Sequence, residues 1–272
     1  MTLSKTYAAH LDAVQAQNAR IYGPSPTGDA WGGASARRFR FDPHRDLDRN
    51  IEVIASYVGP EDVVIDVGGG AGRVCLPLAL KCKIALNVEP SPGMGAEFES
   101  LAQEAGIRNA RLVPSSLAEA QAPQGDISFT ADVTYFVRDI PSFIRQMEAA
   151  ASRRVIITIW SEPPPNRHSK LFQLVYGEDQ AALPGQAQLL PVLWDMGILP
   201  DVQVMPESPW WENQRPPTRE EAIKMVVEDR VIKPDDRERA QSVFEAHFDE
   251  LFTLSEAGFV PQWRKEMREV LI

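Results

Sequence analysis

The stretch Val63-Val64-Ile65-Asp66-Val67-Gly68-Gly69-Gly70-Ala71-Gly72-Arg73 decides the fold. Its first five residues are β-branched apart from one aspartate, a run typical of a short buried strand. The glycines that follow let the backbone approach a ligand and adopt positive φ. Because the N-terminus of a helix presents unpaired N–H groups, a helix opening at this loop would direct them at a bound ligand. The stretch therefore predicts a strand, a ligand-binding turn and a helix in succession.

The residues that follow continue the alternation of strands and helices. Apolar and β-branched runs predict further strands at 83–88, 110–113, 126–130 and 154–160. Helical patterns at 92–105 and 140–151 separate them, and Gly106 ends the first. Strands alternating with helices are typical of a parallel sheet covered by helices on both faces, so we predict an α/β, Rossmann-like, doubly wound fold.

Two regions lie outside this alternation. Residues 1–49 form an N-terminal arm whose helix ends near Gly23-Pro24. Residues 50–272 form the main domain, with a sixth strand near 201–205, a helical insertion at about 206–253 that includes one helix over 234–251, and a closing strand at 268–272. Since the helices of the alternating region flank the sheet, we expect the arm and the insertion to cap its ligand-binding edge as a lid. Trp210-Trp211 in the insertion suits a lid or a subunit interface, so the sequence is compatible with a homodimer.

Composition excludes several classes of protein. The formal net charge is −10, whereas nucleic-acid binding generally needs a basic surface, so we expect no nucleic-acid partner. No apolar run is long enough to span a membrane, and the first residues lack the apolar core of a signal peptide, so we expect a cytoplasmic protein without a membrane partner. The 2 cysteines do not suggest a disulfide scaffold, and no His/Cys/Asp spacing resembles a zinc site, so we predict no metal.

The spacing of the loop discriminates between ligands. A dinucleotide loop usually reads G-x-G-x-x-G, but Arg73 stands at the third glycine position. The pattern is instead an acid, Asp66, two residues before the first of three alternating glycines. That carboxylate would repel the pyrophosphate of NAD, whereas it can accept hydrogen bonds from an ammonium group such as that of S-adenosylmethionine. A second acid, Glu89, ends the next predicted strand, where it can accept from both ribose hydroxyls.

With these motifs, residues 63–160 resemble the class I S-adenosylmethionine-dependent methyltransferases. Four segments carry the resemblance: 66–72, 89–94, 113–117 and 126–137. It implies a seven-stranded sheet with the last strand antiparallel and S-adenosylmethionine as cofactor. It also implies cofactor contacts from Asp66, Gly68, Gly69, Gly70, Gly72, Glu89, Pro90, Met94, Ser115, Ser116, Leu117 and Ala131. The chain departs from the family at Ser115, where an aspartate is frequent, and at Asp132, where asparagine or histidine is frequent.

The sequence does not identify the methyl acceptor, which we expect to be a small molecule in a closed pocket. Weak candidates for a catalytic group are Asp132, Tyr135 and His168, and candidates for the pocket wall are Tyr7, Trp31, Tyr135 and Trp160. Direct displacement at a sulfonium mainly needs alignment, so the absence of an obvious triad does not exclude an enzyme. Two alternatives remain: a non-catalytic S-adenosylmethionine-binding protein and, less favoured, an NAD-dependent oxidoreductase.

Overall fold

The computed structural model describes residues 2–24, 28–120, 124–206, 215–263 and 267–272. The strands are β1 (Val63–Val67), β2 (Ile84–Val88), β3 (Ala110–Val113), β4 (Gly125–Ala131), β5 (Ala151–Trp160), β6 (Gln203–Val204), β7 (Phe252–Ser255), β8 (Gly258–Pro261) and β9 (Glu269–Leu271). The helices are α1 (Leu3–Tyr22), α2 (Ala34–Arg37), α3 (Arg49–Ala55), α4 (Cys75–Ala79), α5 (Pro92–Glu104), α6 (Ile140–Ala150), α7 (Ser169–Tyr176), α8 (Gln186–Asp195), α9 (Arg219–Val227), α10 (Arg237–Ala246) and α11 (Phe248–Leu251).

Seven strands form one sheet in the order β3-β2-β1-β4-β5-β9-β6. Strands β1 to β5 pair in parallel, with Ile65 of β1 opposite Leu86 of β2 and Ser128 of β4. The last strand, β9, runs antiparallel between β5 and β6. This confirms the predicted seven-stranded sheet with an antiparallel last strand. The chain order reverses between β1 and β4, the kind of switch point at which open α/β sheets bind ligands.

Each face of the sheet is buried under its own set of helices. On one face, α3, α4 and α5 pack against β1, β2 and β4 through buried side chains such as Ile54, Leu76 and Phe98. On the other, α1, α6 and α8 cover alternate residues of the same strands, including Ile65. Successive side chains of a strand point to opposite faces of the sheet, and both faces are buried here. Consecutive residues are therefore apolar, which accounts for the nearly continuous apolar runs of the sequence.

A third core lies outside the sheet. It joins α7, α9, α10 and α11 to the hairpin of β7 and β8, with Phe172 and Phe244 among its buried members. The sequence predicted neither α7 nor this hairpin, and it predicted one continuous helix over 234–251. The structure instead has a 3-10 turn at Pro234–Asp236, then α10, then α11 beginning after His247. The break lets Phe248 and Leu251 turn into the third core, a packing contact that periodicity along one helix does not encode.

The arm is attached to the domain along its length. Helix α1 packs against α6 and α8, and Tyr7 is 1% exposed in their shared core. Arg138 pairs with Asp12 at 2.8 Å. Within the part of the chain described above, no helix is both long enough and apolar enough to cross a membrane. Over the same residues, no cluster of three or more His, Cys, Asp or Glu side chains is arranged to hold a metal ion.

Candidate functional site

A cavity of about 1330 Å³ lies at the carboxyl ends of β1, β2 and β4. The glycine-rich loop after β1 and the segment after β2 form one part of its wall, and the segment after β4 forms another. Residues from the arm, from α6, from the segment after β5 and from the turn after α9 complete it. The cavity therefore occupies the switch point of the sheet, where adjacent loops diverge and leave room for a ligand.

The glycines of the loop have two different tasks. Gly68, Gly70 and Gly72 all have positive φ, at 73°, 56° and 89°. A Cβ added at Gly70 would touch only the Met94 sulfur, at 3.6 Å, and would otherwise project into the cavity. A Cβ at Gly72 would lie 2.7 Å from Leu76. Gly70 thus keeps the cavity open, whereas Gly72 lets the loop pack against the core and does not line the cavity.

Two polar side chains from β2 hold the loop in place. The Asn87 side chain donates to the Gly70 carbonyl at 2.9 Å. Glu89 accepts from the Gly70 N–H at 3.0 Å through one oxygen and from the Ser91 N–H at 2.7 Å through the other. Burial raises the pKa of Glu89, and these two hydrogen bonds oppose the shift. Glu89 is therefore a preorganised acceptor on the cavity wall rather than a mobile surface acid.

Asp66 lies at the floor of the cavity and is 2% exposed. Its Oδ1 has no hydrogen-bond partner among the described residues. Burial raises the pKa of Asp66 to about 7, and the charge of Arg73 opposes the shift. A buried carboxylate oxygen without a donor is costly to maintain. The arrangement therefore fits a ligand that brings a cationic donor, such as an ammonium group, to this side of the loop.

Asp132 follows β4 and is the one non-glycine among the described residues with positive φ, at 61°. Strained backbone of this kind is concentrated at functional sites. Its Oδ2 lies 3.4 Å from the Arg73 guanidinium. Burial raises the pKa of Asp132; Arg73 and a hydrogen bond from Trp160 oppose the shift, and Glu269 adds to it. Glu269 on β9 is itself held by the Asn50 side chain. Asp132 thus presents a weakly acidic carboxyl group to the cavity.

The arm reaches the cavity through residues 28–39. Asp29 accepts from the Ser91 hydroxyl at 2.8 Å and from the Gly93 N–H at 2.8 Å, at the start of α5. Close backbone packing accompanies this contact, since a Cβ on Gly93 would lie 2.5 Å from the Cα of Gly32. Trp31 makes edge contacts with two aromatic rings, Phe39 and Phe136, at 6.0 and 6.1 Å between centroids. Asp29 therefore fastens to α5 the segment that carries Trp31 to the cavity wall.

Most residues proposed from the sequence meet in this cavity. Those that line it are Asp66, Gly68, Gly69, Gly70, Glu89, Pro90, Met94, Ser116, Leu117, Ala131, Asp132, Tyr135 and Trp31. The contact of each with a cofactor or acceptor stays a prediction. Their meeting follows from topology, because parallel strands end at the same edge of the sheet and their loops converge there.

Five residues proposed from the sequence do not line the cavity. Besides Gly72, these are Ser115, Tyr7, Trp160 and His168. The Ser115 hydroxyl turns back to the Ser116 carbonyl at 3.0 Å. The Tyr7 hydroxyl donates to the Thr134 carbonyl at 2.9 Å within the core, and the Trp160 ring is buried beside it. His168 Nδ1 lies 2.7 Å from Asp229. Tyr7, Trp160 and His168 therefore support the cavity from behind.

Sequence reasoning missed part of the wall. Asp29, Arg73, Arg230 and Pro164 line the cavity, as do α6 residues that include Phe143 and Gln146. Asp29 had a local signal, since it lies in a glycine-rich segment next to Trp31. Arg230 had none, because it lies in a turn far along the chain. Trp210-Trp211 lie outside the described residues.

Comparisons with known proteins agree with the fold. No protein-family model and no curated protein sequence matches the chain. Among solved structures, a putative methyltransferase from Bacillus halodurans is 11% identical over 81% of this chain and 94% of its own, with a TM-score of 0.53. The YcgJ protein from Bacillus subtilis is 15% identical over 82% of this chain and 96% of its own, with a TM-score of 0.52. With the strand order, these likenesses identify the fold as that of the class I methyltransferases.

Proposed function

We propose that the protein binds S-adenosylmethionine and transfers its methyl group to a small molecule. One observation carries the proposal: two buried carboxylates, Asp66 and Glu89, flank Gly70 at the switch point, and Asp66 has an oxygen without a partner. A ligand with an ammonium group and a ribose matches both. The pyrophosphate of a dinucleotide would instead meet two acids, which disfavours NAD.

The cavity residues suit the parts of this cofactor. Asp66 would accept from the ammonium group, which would also stabilise its charged form. Each Glu89 oxygen already accepts one backbone N–H and retains a second lone pair for a ribose hydroxyl. Met94 and Leu117 would contact the adenine ring through apolar surface. When bound, the cofactor supplies an electrophilic methyl group on a positively charged sulfur.

The protein's contribution to transfer would be mainly positional. Alignment of the acceptor and exclusion of water account for most of what a direct displacement requires. Asp132 is the group best placed to take a proton from an acceptor hydroxyl or amine. It lines the cavity, and its pKa is raised to about 7, close to neutral pH. Tyr135 lies beside it on the wall and would orient the acceptor.

A lid would restrict access to small molecules. Residues 28–31 and Phe39 of the arm line the cavity from one direction, and Arg230 of the insertion lines it from another. These placements support the proposal that residues 1–49 and the insertion at about 206–253 together cover the site, of which 207–214 lie outside the described residues. A polymer would need an open groove, and a net charge of −10 disfavours a nucleic acid.

Calorimetric titration with S-adenosylmethionine, S-adenosylhomocysteine and NAD tests the cofactor assignment. We expect micromolar binding of the first two and none of NAD. Binding of NAD, or of neither adenosyl ligand, would contradict the proposal. Incubation with methyl-labelled cofactor and a small-molecule cell extract then tests transfer. Label entering a low-mass product supports an enzyme, whereas tight cofactor binding without any labelled product favours the non-catalytic alternative.

A further inference from the structure

The cavity extends well beyond the residues proposed to hold the cofactor. Its volume of about 1330 Å³ exceeds the roughly 300–1000 Å³ typical of a pocket for one small ligand. The remaining wall is mostly apolar and includes three aromatic side chains, Trp31, Phe39 and Phe136, and two prolines, Pro164 and Pro165. We call this the acceptor half. Flat apolar surfaces of this kind suit a planar or aromatic ligand.

Outside the loops proposed to hold the cofactor, the cavity wall has three acids, Asp29, Asp132 and Asp139, and each contacts at least one donor of the protein. Asp29 accepts from the Ser91 hydroxyl and the Gly93 N–H. Asp139 caps α6 by accepting from the Ser142 N–H at 3.3 Å. Asp132 forms an ion pair with Arg73, with 3.4 Å between its Oδ2 and the guanidinium. None of the three forms an ion pair with a further cation of the cavity wall among the described residues.

Arg230 is that further cation. It lines the cavity, and no ion pair joins it to a carboxylate within the described parts of the chain. Tyr135 lines the same cavity. An arginine facing a largely apolar wall offers a fork of N–H donors suited to a carboxylate.

The turn that carries Arg230 is held from several directions. Asp229 pairs with His168 at 2.7 Å, where the chain leaves β5. The next residue, Val231, accepts through its carbonyl from the Tyr22 hydroxyl at the end of α1, at 2.9 Å. The Lys233 N–H donates to the Tyr176 hydroxyl at 3.1 Å. Three separate elements therefore fix the backbone on both sides of Arg230, whose exposed side chain extends from an ordered turn.

We infer that the methyl acceptor is a small planar or aromatic molecule with one anionic group, a carboxylate in the simplest case, and that Arg230 binds that group. The inference rests on the proposed function, since it assigns the second ligand of the same cavity. Arg230 is thus a specificity-determining residue.

Three probes that share one ring system test the inference: 2-naphthoate, 2-naphthamide and 2-naphthylmethylammonium. Their affinities are measured by calorimetry on protein saturated with S-adenosylhomocysteine and on protein alone. We expect naphthoate to bind about tenfold more tightly than the amide, and the ammonium probe to bind weakest. Arg230→Gln should remove the preference by lowering naphthoate affinity about tenfold while leaving the amide unchanged. Arg237→Gln, an exposed arginine outside the cavity wall, is the matched control.

Each other outcome overturns the inference. Equal affinity for naphthoate and the amide, tighter binding of the ammonium probe, no measurable naphthoate binding, or an Arg230→Gln protein that keeps the preference would do so. The titration with S-adenosylhomocysteine separates this failure from failure of the proposed function. If that ligand does not bind, the cofactor assignment is wrong, whereas the preference for naphthoate over the amide, and its loss in Arg230→Gln, is still judged on protein alone.

Discussion

The two halves of the cavity are assembled differently. The part of the wall proposed to hold the cofactor, called the cofactor half below, comes mainly from residues 66–94, which are two consecutive strand ends and the loops that follow them. The acceptor half draws on residues 28–39, the segment after β4, the segment after β5 and the turn at Arg230. A site built from neighbouring loops is specified by local sequence, whereas a site built from distant segments exists only once every core beneath it has packed. The halves should therefore respond separately to substitution.

The largest effect is expected in the cofactor half, at Gly70. Replacing Gly70 with valine puts a branched side chain into the cavity at a φ of 56°, so affinity for S-adenosylhomocysteine should fall more than about 100-fold. Calorimetry measures the loss. Gly106→Val is the control, because Gly106 has a similar φ of 69° and no neighbour near the added Cβ. It carries the same backbone strain, and equal loss of binding in both variants would show that strain, not occupied space, is responsible.

A smaller effect is expected at Glu89. Glu89→Ala should cost roughly 1.5–3 kcal/mol of cofactor affinity, because it removes the acceptors for the ribose and releases the N–H groups of Gly70 and Ser91. Titration of the variant with S-adenosylhomocysteine gives the number. Glu99→Ala, an exposed acid on α5, should bind as the unmodified protein does. If Glu89→Ala binds S-adenosylhomocysteine with unchanged affinity, Glu89 does not bind the ribose hydroxyls.

The pH dependence of cofactor binding sharpens the role of Asp66. Its pKa in the free protein is raised to about 7, and only the ionised form pairs with an ammonium group. Affinity should therefore rise as pH increases from 6 to 7.5, by up to about tenfold, and level off above the pKa. The Asp66→Asn protein should bind weakly with a flatter profile, which also reveals any titration of the ligand. A steep rise that persists in Asp66→Asn would assign the titration to another group.

The smallest effect is expected where the arm joins the two halves, at Asp29. Asp29→Asn weakens the contacts with Ser91 and Gly93, so S-adenosylhomocysteine should dissociate several-fold faster, consistent with a loss of about 1 kcal/mol. Stopped-flow tryptophan fluorescence measures the rate. Asp12→Asn is the matched control, since Asp12 also pairs with the domain from the arm but lies outside the cavity wall. Deleting residues 1–30 would be less informative, because it also removes Tyr7 from the core. Equal rates in both variants would leave the arm without a role in retention.

The cofactor half was readable from the sequence for a physical reason. A β-branched run bounded by glycine specifies a short strand and its turn within a few residues, so β1 and β3 begin and end where the sequence predicted. Because β1 and β2 pair in parallel, Asp66 and Glu89 lie at the same edge of the sheet, and no contact distant in sequence is needed to bring them together. Two predicted cofactor contacts in this half do not line the cavity: Gly72 packs against Leu76, and the Ser115 hydroxyl donates to the neighbouring Ser116 carbonyl.

The sequence by itself determined the alternating strands and helices and the acids around the glycine loop, since each depends on contacts between residues near in sequence or on the shared edge of a parallel sheet. The antiparallel direction of the closing strand was implied by the family resemblance instead. Only the tertiary structure decided which side chains face the acceptor half. Tyr7 and Trp160 have the composition of pocket residues, yet they are buried in the core under the helices that cover the sheet. His168 instead contacts Asp229, beside the cavity wall. Arg230 reaches the cavity because its turn is held by residues more than 50 positions away, at Tyr22, His168 and Tyr176. Contacts over that separation form by packing, and no local pattern encodes them.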